Sequence, residues 1–173
     1  MAVVASDLKI YLSGGGSNTD PNASIGGAVS STEVSSTPMN NLFDNVSDAE
    51  AVAGDVEYRC VYLSNDNATD TLNSAAVFIQ SNTPSGDSTI AIGLDPAGIG
   101  NGTSTGVAAT PADESTAPAG VTFSTPADSG SALAIGNLDA GEVQAIWIRR
   151  TISAGAASQA SDPFTLRVTG TPA

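Results

Sequence analysis

The sequence contains no histidine, one cysteine and one lysine, and aromatic residues make up only 5% of its 173 positions. Histidine is the side chain whose ordinary pKa lies closest to neutrality, so its absence removes Ser-His-Asp and Cys-His catalysis and every histidine-based metal site. A lone cysteine, Cys60, cannot close an intrachain disulfide, which leaves burial and hydrogen bonding as the sources of stability. The chain opens without a basic region leading into a sustained apolar run, and no apolar stretch approaches the ~20 residues that a membrane helix requires. Synthesis in a cytoplasm without a membrane partner is the expectation.

Basic residues are also scarce. Five stand against eighteen acidic ones, for a formal charge of −13. Such a field repels phosphate backbones and anionic headgroups, so nucleic acid is not an expected partner, whereas a basic protein surface is compatible with it.

What is present is Ala, Gly, Ser, Thr, Val and Asn, a mixture that favours strands and turns over long amphipathic helices. The length suits one domain. The expected division is an N-terminal strand and extended arm over 1–41, packed on or reaching from a β-sandwich over 42–173. Leu8, Ile10 and Leu12 alternate with Lys9 and Tyr11, the period of a half-buried strand, which ends at Gly14-Gly-Gly16. Residues 26–34 read as a weakly apolar strand or arm. Between Leu42 and Gly54 lies the one helix the sequence supports: Ser47 and Glu50 have capping-box spacing and Gly54 stands ready to end it.

The clearest alternation runs from Val56 to Leu63, with Tyr58, Cys60 and Tyr62 on one side and Arg59, Val61 and Leu63 on the other. A polar loop leads to a second strand over 72–80, and the two together suggest an antiparallel hairpin. Ile90 to Leu94 is a short strand stopped by Asp95-Pro96. Residues 97–119 form a Gly/Ala/Ser/Thr/Pro excursion that is expected to pack over the sheet or against a neighbour. Strands over 121–124, 133–135, 143–152 and 164–168 follow, the third of them central because both of its faces are apolar. The fold class is therefore all-β: an antiparallel β-sandwich, immunoglobulin-like or jelly-roll, of about eight strands with one short helix and long extended loops.

Chemistry is thinly represented. Asp113-Glu114 is the obvious carboxylate pair, but neighbours on a loop do not define the fixed separation across a sugar that glycoside hydrolysis needs. Cys60 reads as a small core hydrophobe. Asn65-Asp66-Asn67 with Asp70 is the best oxygen cluster for a calcium ion, yet it lacks the glycine and distal glutamate of an EF-hand and equally suits an ordinary polar turn. Gly14–Gly16 lacks the lysine and helix start of a phosphate loop. No catalytic, cofactor-binding or metal residue is assigned. Arg149 and Arg150 should point to opposite faces of their strand, and with Trp147 and Tyr11 they are the candidate interface residues, set against simple packing or internal pairing.

The strings Gly54-Asp-Val-Glu-Tyr-Arg-Cys-Val-Tyr62, Ile90-Ala-Ile-Gly-Leu-Asp-Pro96, Ala117-Pro-Ala-Gly-Val-Thr-Phe-Ser124, Trp147-Ile-Arg-Arg150 and Phe164-Thr-Leu-Arg167, in that order, resemble virion structural proteins of tailed bacteriophages, of the kind that decorate or cement the head. The resemblance is one of general pattern from Asp7 onward. It implies a small β-sandwich without enzymatic activity, assembled as a homo-oligomer such as a trimer. Its partner would be the major capsid protein on the outer capsid surface, where it stabilises joints between subunits. A tail, neck or head-fibre component is the alternative, and a carbohydrate-binding module with an exposed aromatic platform is a third.

Overall fold

The computed structural model describes residues 2–37, 40–159 and 161–173; of the expected arm over 1–41, Met1, Pro38 and Met39 lie outside the described residues. The chain forms a β-sandwich. Among the described residues its strands are β1 (Leu8–Ser13), β2 (Val29–Glu33), β3 (Asp55–Asn65), β4 (Leu72–Ser81), β5 (Ser88–Gly100), β6 (Leu133–Leu138), β7 (Val143–Ile152) and β8 (Thr165–Pro172), with one short α-helix, α1 (Asp48–Ala53), ahead of β3 and single 3-10 turns at Ala5–Asp7 and Pro21–Ala23. One sheet has the order β2-β1-β3-β7-β5, the other β6-β4-β8, and every pairing is antiparallel.

The segment over 1–41 supplies β1 and β2 to the larger sheet, with β1 lying directly against β3. α1 is placed where its cap predicts: the Ser47 hydroxyl accepts from the Glu50 amide while the Glu50 carboxylate accepts from the Ser47 amide, and Gly54 ends the helix at φ 79°. β7 lies between β3 and β5, as its two apolar faces require.

Three expectations fail for identifiable reasons. β3 and β4 are not a hairpin: they lie in different sheets, and from β3 onward each successive strand crosses to the opposite sheet. A strand buried on both faces needs neighbours from both layers, and alternation cannot say which strand supplies them. β5 does not stop at Asp95-Pro96. It continues to Gly100 through a register shift between Leu94 and Ile99, an irregularity that accommodates the proline on an edge strand. Residues 121–124 form no strand, only an isolated bridge between Ser124 and Ile92.

The core divides into two layers, one on each face of the larger sheet. Leu12, Val61, Leu63, Ile90, Ile92, Ile146 and Ile148 face the smaller sheet and meet Leu72, Val77, Ile79 and Leu138. On the opposite face, Tyr58, Cys60, Tyr62, Ala145 and Trp147 pack with Ala108, Val121 and Phe123. This second layer is roofed by two loops rather than by strands.

Candidate binding cleft beside a free strand edge

The roof is built from the β1–β2 connection and from the excursion after β5, bridged to each other between Gly27 and Ala108. Loop backbone carried over an apolar face must find hydrogen-bond partners there. The sheet provides them. The Tyr62 hydroxyl donates to the Gly27 carbonyl at 2.6 Å and accepts from the Ala108 amide at 2.8 Å, joining both loops to β3. The Asp95 carboxylate accepts from the Trp147 indole at 2.8 Å and from the Ala109 amide at 3.2 Å. Where β1 ends, the free β3 amides of Tyr58 and Cys60 donate to the carbonyls of Glu114 and Ser24, each at 2.7 Å. The Arg59 guanidinium, fully buried, joins the two loops at that edge by pairing with Glu114 at 2.5 Å and donating to Asn22.

These contacts decide where several candidate residues stand. Trp147 is completely buried with its indole N–H occupied, so it offers neither an interface anchor nor a sugar-stacking platform: its neighbours Asp95 and Ala108 cover it with the chain's own roof. Arg149 lies under the roof, its guanidinium carbon 5.2 Å from the Phe123 ring centroid, with a buried Nε that has no hydrogen-bond partner. Arg150 points the other way, as strand geometry demands. It pairs with Glu57 and Asp44, donates to the Asp44 carbonyl at 2.9 Å and lies 4.7 Å from the Phe43 centroid. Burial pushes the Glu57 carboxyl above its usual range, against the opposing pull of Arg150. Tyr11 is half-buried and donates to Asp66 at 2.6 Å; this bond and burial push its pKa up to about 12.

The remaining candidates are absorbed by local structure. Cys60 is buried, and desolvation raises its thiol well above the ordinary value. Asp113 caps its own turn by accepting from Ser115 and Thr116, while Glu114 turns to Arg59, so the two carboxylates do not converge. In the polar loop after β3, Asp66 accepts from Ser64 and Tyr11, Asn67 Oδ1 accepts from the Thr69 and Asp70 amides, and Asn65 donates to the Asp70 and Leu138 carbonyls. Among the described residues no group of three or more Cys, Asp or Glu side chains is placed to hold a metal ion.

The inter-sheet side of the molecule is built differently. Along the β5 side the gap between the sheets is closed: Ser124 exchanges backbone bonds with Ile92 in the larger sheet, and two residues later the Pro126 carbonyl accepts from Ile79 in the smaller one. Along the β8 side the segment ahead of α1 enters the gap, with Leu42 and Phe43 buried in the same core, but among the described residues no backbone hydrogen bond ties it to β8. There lies a cleft of about 1030 Å³ between the start of β8 and the segment that carries α1. Ile148 and Ile152 lie in its floor, Phe164 and Leu166 form one wall, and Phe43, Val46 and Val52 belong to the other. Sequence reasoning did not find this cleft. At its rim Val46 and Val52 remain exposed, Val52 by 75%.

No family model, curated protein or solved structure matches the chain.

Proposed function

We propose that the chain is a non-enzymatic structural protein of a phage virion, binding the outer capsid surface as a homo-oligomer, with a trimer favoured, and stabilising joints between major capsid subunits. The observation that carries the adhesive part is the division of labour between the two sides of the larger sheet. On one side Asp95 and Tyr62 tie down the chain's own loops, while on the other a cleft with an apolar floor and an acidic rim stays open at the sheet edge. A body of this kind holds neighbours together through buried area and needs no chemistry. The acidic charge of −13 adds to this reading by disfavouring contact with DNA and favouring a basic protein surface.

The virion setting rests on the resemblance of the sequence strings quoted above. Cryo-electron microscopy of the source particle tests it: density for this sandwich on the head exterior is the expected result. Density along the tail or neck instead would transfer the same adhesive role to the alternative location, and absence from the particle would end the virion reading.

A further inference from the structure

We propose that the cleft receives an extended, cationic strand from another protein, which pairs with the free edge of β8 and sets alternate apolar side chains into the gap between the sheets. The inference deepens the reading above by naming the kind of partner the cleft takes, and it rests on that reading only for the donor being a capsid subunit.

Three observations converge. The first is the edge. β8 pairs with β4 on one side, and among the described residues no strand lies on the other, so a run from Thr165 to Pro172 presents backbone groups that a further strand can bond. Edge strands usually carry charge or proline against such pairing, and here only Arg167 and the terminal Pro172 do so.

The second is incomplete burial, which this side shares with Leu94, Ile99, Leu133 and Ile135 along β5 and β6 but which here borders an open cleft. Leu166 and Val168 point toward the core yet are only partly buried, as are Phe164 and, opposite them, Ile10 and Val34. Their counterparts on β4, Val77 and Ile79, are buried. One more strand beside β8 would give the outer residues the cover that β4 already has. The cleft volume of about 1030 Å³ lies at the upper end of small-molecule sites, which suits a length of chain better than a compact ligand.

The third is charge. Asp44, Asp48, Asp87 and Asp162 line the cleft, and Arg150, the one cation in that lining among the described residues, is already held by Glu57 and Asp44. A lysine- or arginine-bearing strand answers this field. A second copy of the chain does not, because it brings the same rim and a charge of −13 of its own.

The test uses the intact protein and a fluorescein-labelled nonapeptide of alternating valine and lysine, followed by fluorescence anisotropy. Saturable binding is expected, weakening at least about tenfold between about 50 and about 300 mM salt. A glutamate-for-lysine peptide should not bind, nor should one N-methylated at alternate amides. Amides of β8 should gain hydrogen-exchange protection in the complex. Val52→Lys, at an exposed position, should weaken binding without moving the thermal midpoint. Equal binding of the glutamate or N-methylated peptide, protection elsewhere than β8, or no saturable binding would each overturn strand capture. If the peptide fails while the chain still decorates particles, capture falls and the adhesive reading stands; if the peptide binds but the chain is absent from particles, the reverse holds.

Discussion

Trp147 and Ile148 are neighbours on β7, and both are buried, yet they are buried by different means. Trp147 lies under loops held by specific hydrogen bonds from Asp95 and Tyr62, with Arg59 tying the same loops down at the sheet edge. Ile148 lies under strands and apolar side chains, in a layer that ends where the smaller sheet runs out of strands. Roofing a sheet with loops requires polar handles on the sheet, because each loop amide and carbonyl must be satisfied. Roofing it with strands requires only alternation, since the roof satisfies its own backbone. The loop-covered face is therefore closed and specified residue by residue, and the strand-covered face is left with an open seam.

The largest expected effect falls at that seam. Arg150→Ala leaves the buried Glu57 carboxylate without its partner, and a loss of about 3–5 kcal/mol is expected. Glu57 has a raised folded pKa, so its neutral form is the one the fold favours. Its contribution is present below the ordinary glutamate value and is lost as pH rises through the folded value. Arg150→Ala should accordingly be less damaging in acid than at neutrality, and Glu57→Gln combined with Arg150→Met should restore most of the loss. Chemical denaturation across pH reads all three. An equal deficit at every pH would mean that the pair contributes packing alone.

The closed face breaks next most severely. At Gly26 the backbone has φ +91°, and a Cβ there would stand 1.8 Å from the Ala109 carbonyl oxygen of the facing loop. Gly26→Ala should cost about 3 kcal/mol, combining left-handed strain with overpacking. Gly86→Ala, with open space around it, serves as the control. Tyr62→Phe should follow at about 2 kcal/mol, because it leaves the Gly27 carbonyl and Ala108 amide without their shared hydroxyl. Burial holds the Tyr62 phenol up to about 12, so it favours the folded state below the ordinary tyrosine value and loses that contribution as pH climbs toward the folded one. Ultraviolet titration should show a late phenolate step that Tyr62→Phe diminishes.

Much of this is legible in the sequence. The alternation in β1, β3 and β7 located those strands and their faces, and the spacing of Ser47, Glu50 and Gly54 located α1. Sheet membership was not legible. β3 and β4 each alternate as hairpin partners would, and only their packing on opposite layers separates them. Trp147 and Arg150 shared one reading as interface residues because composition marks both types as anchors, although neighbours in a strand face opposite ways and here meet wholly different surroundings. The cleft was illegible for a related reason: it consists of what is missing beside β8, and β8 itself reads as an ordinary strand.

The smallest effect probes the wall of the seam rather than its floor. Ser47 and Glu50 close the N-terminus of α1 reciprocally, and Ser47→Ala should cost about 1 kcal/mol, because the Glu50 amide then lacks its acceptor. The backbone hydrogen bond from Ser47 is the main cause that holds the Glu50 carboxyl below its ordinary range. A lowered folded pKa means that the stabilisation is complete above the ordinary glutamate value and disappears as pH falls through the folded one. Glu50→Gln should therefore flatten part of the acid limb of the stability curve while leaving the alkaline limb, governed by the closed face, unchanged. α1 is two turns at most and carries Val52 outward, so its fraying should also raise hydrogen exchange at residues 48–53 before any change at Tyr58 or Cys60. Simultaneous loss of protection at both would show that the seam and the roof unfold as one unit, which would erase the distinction between them.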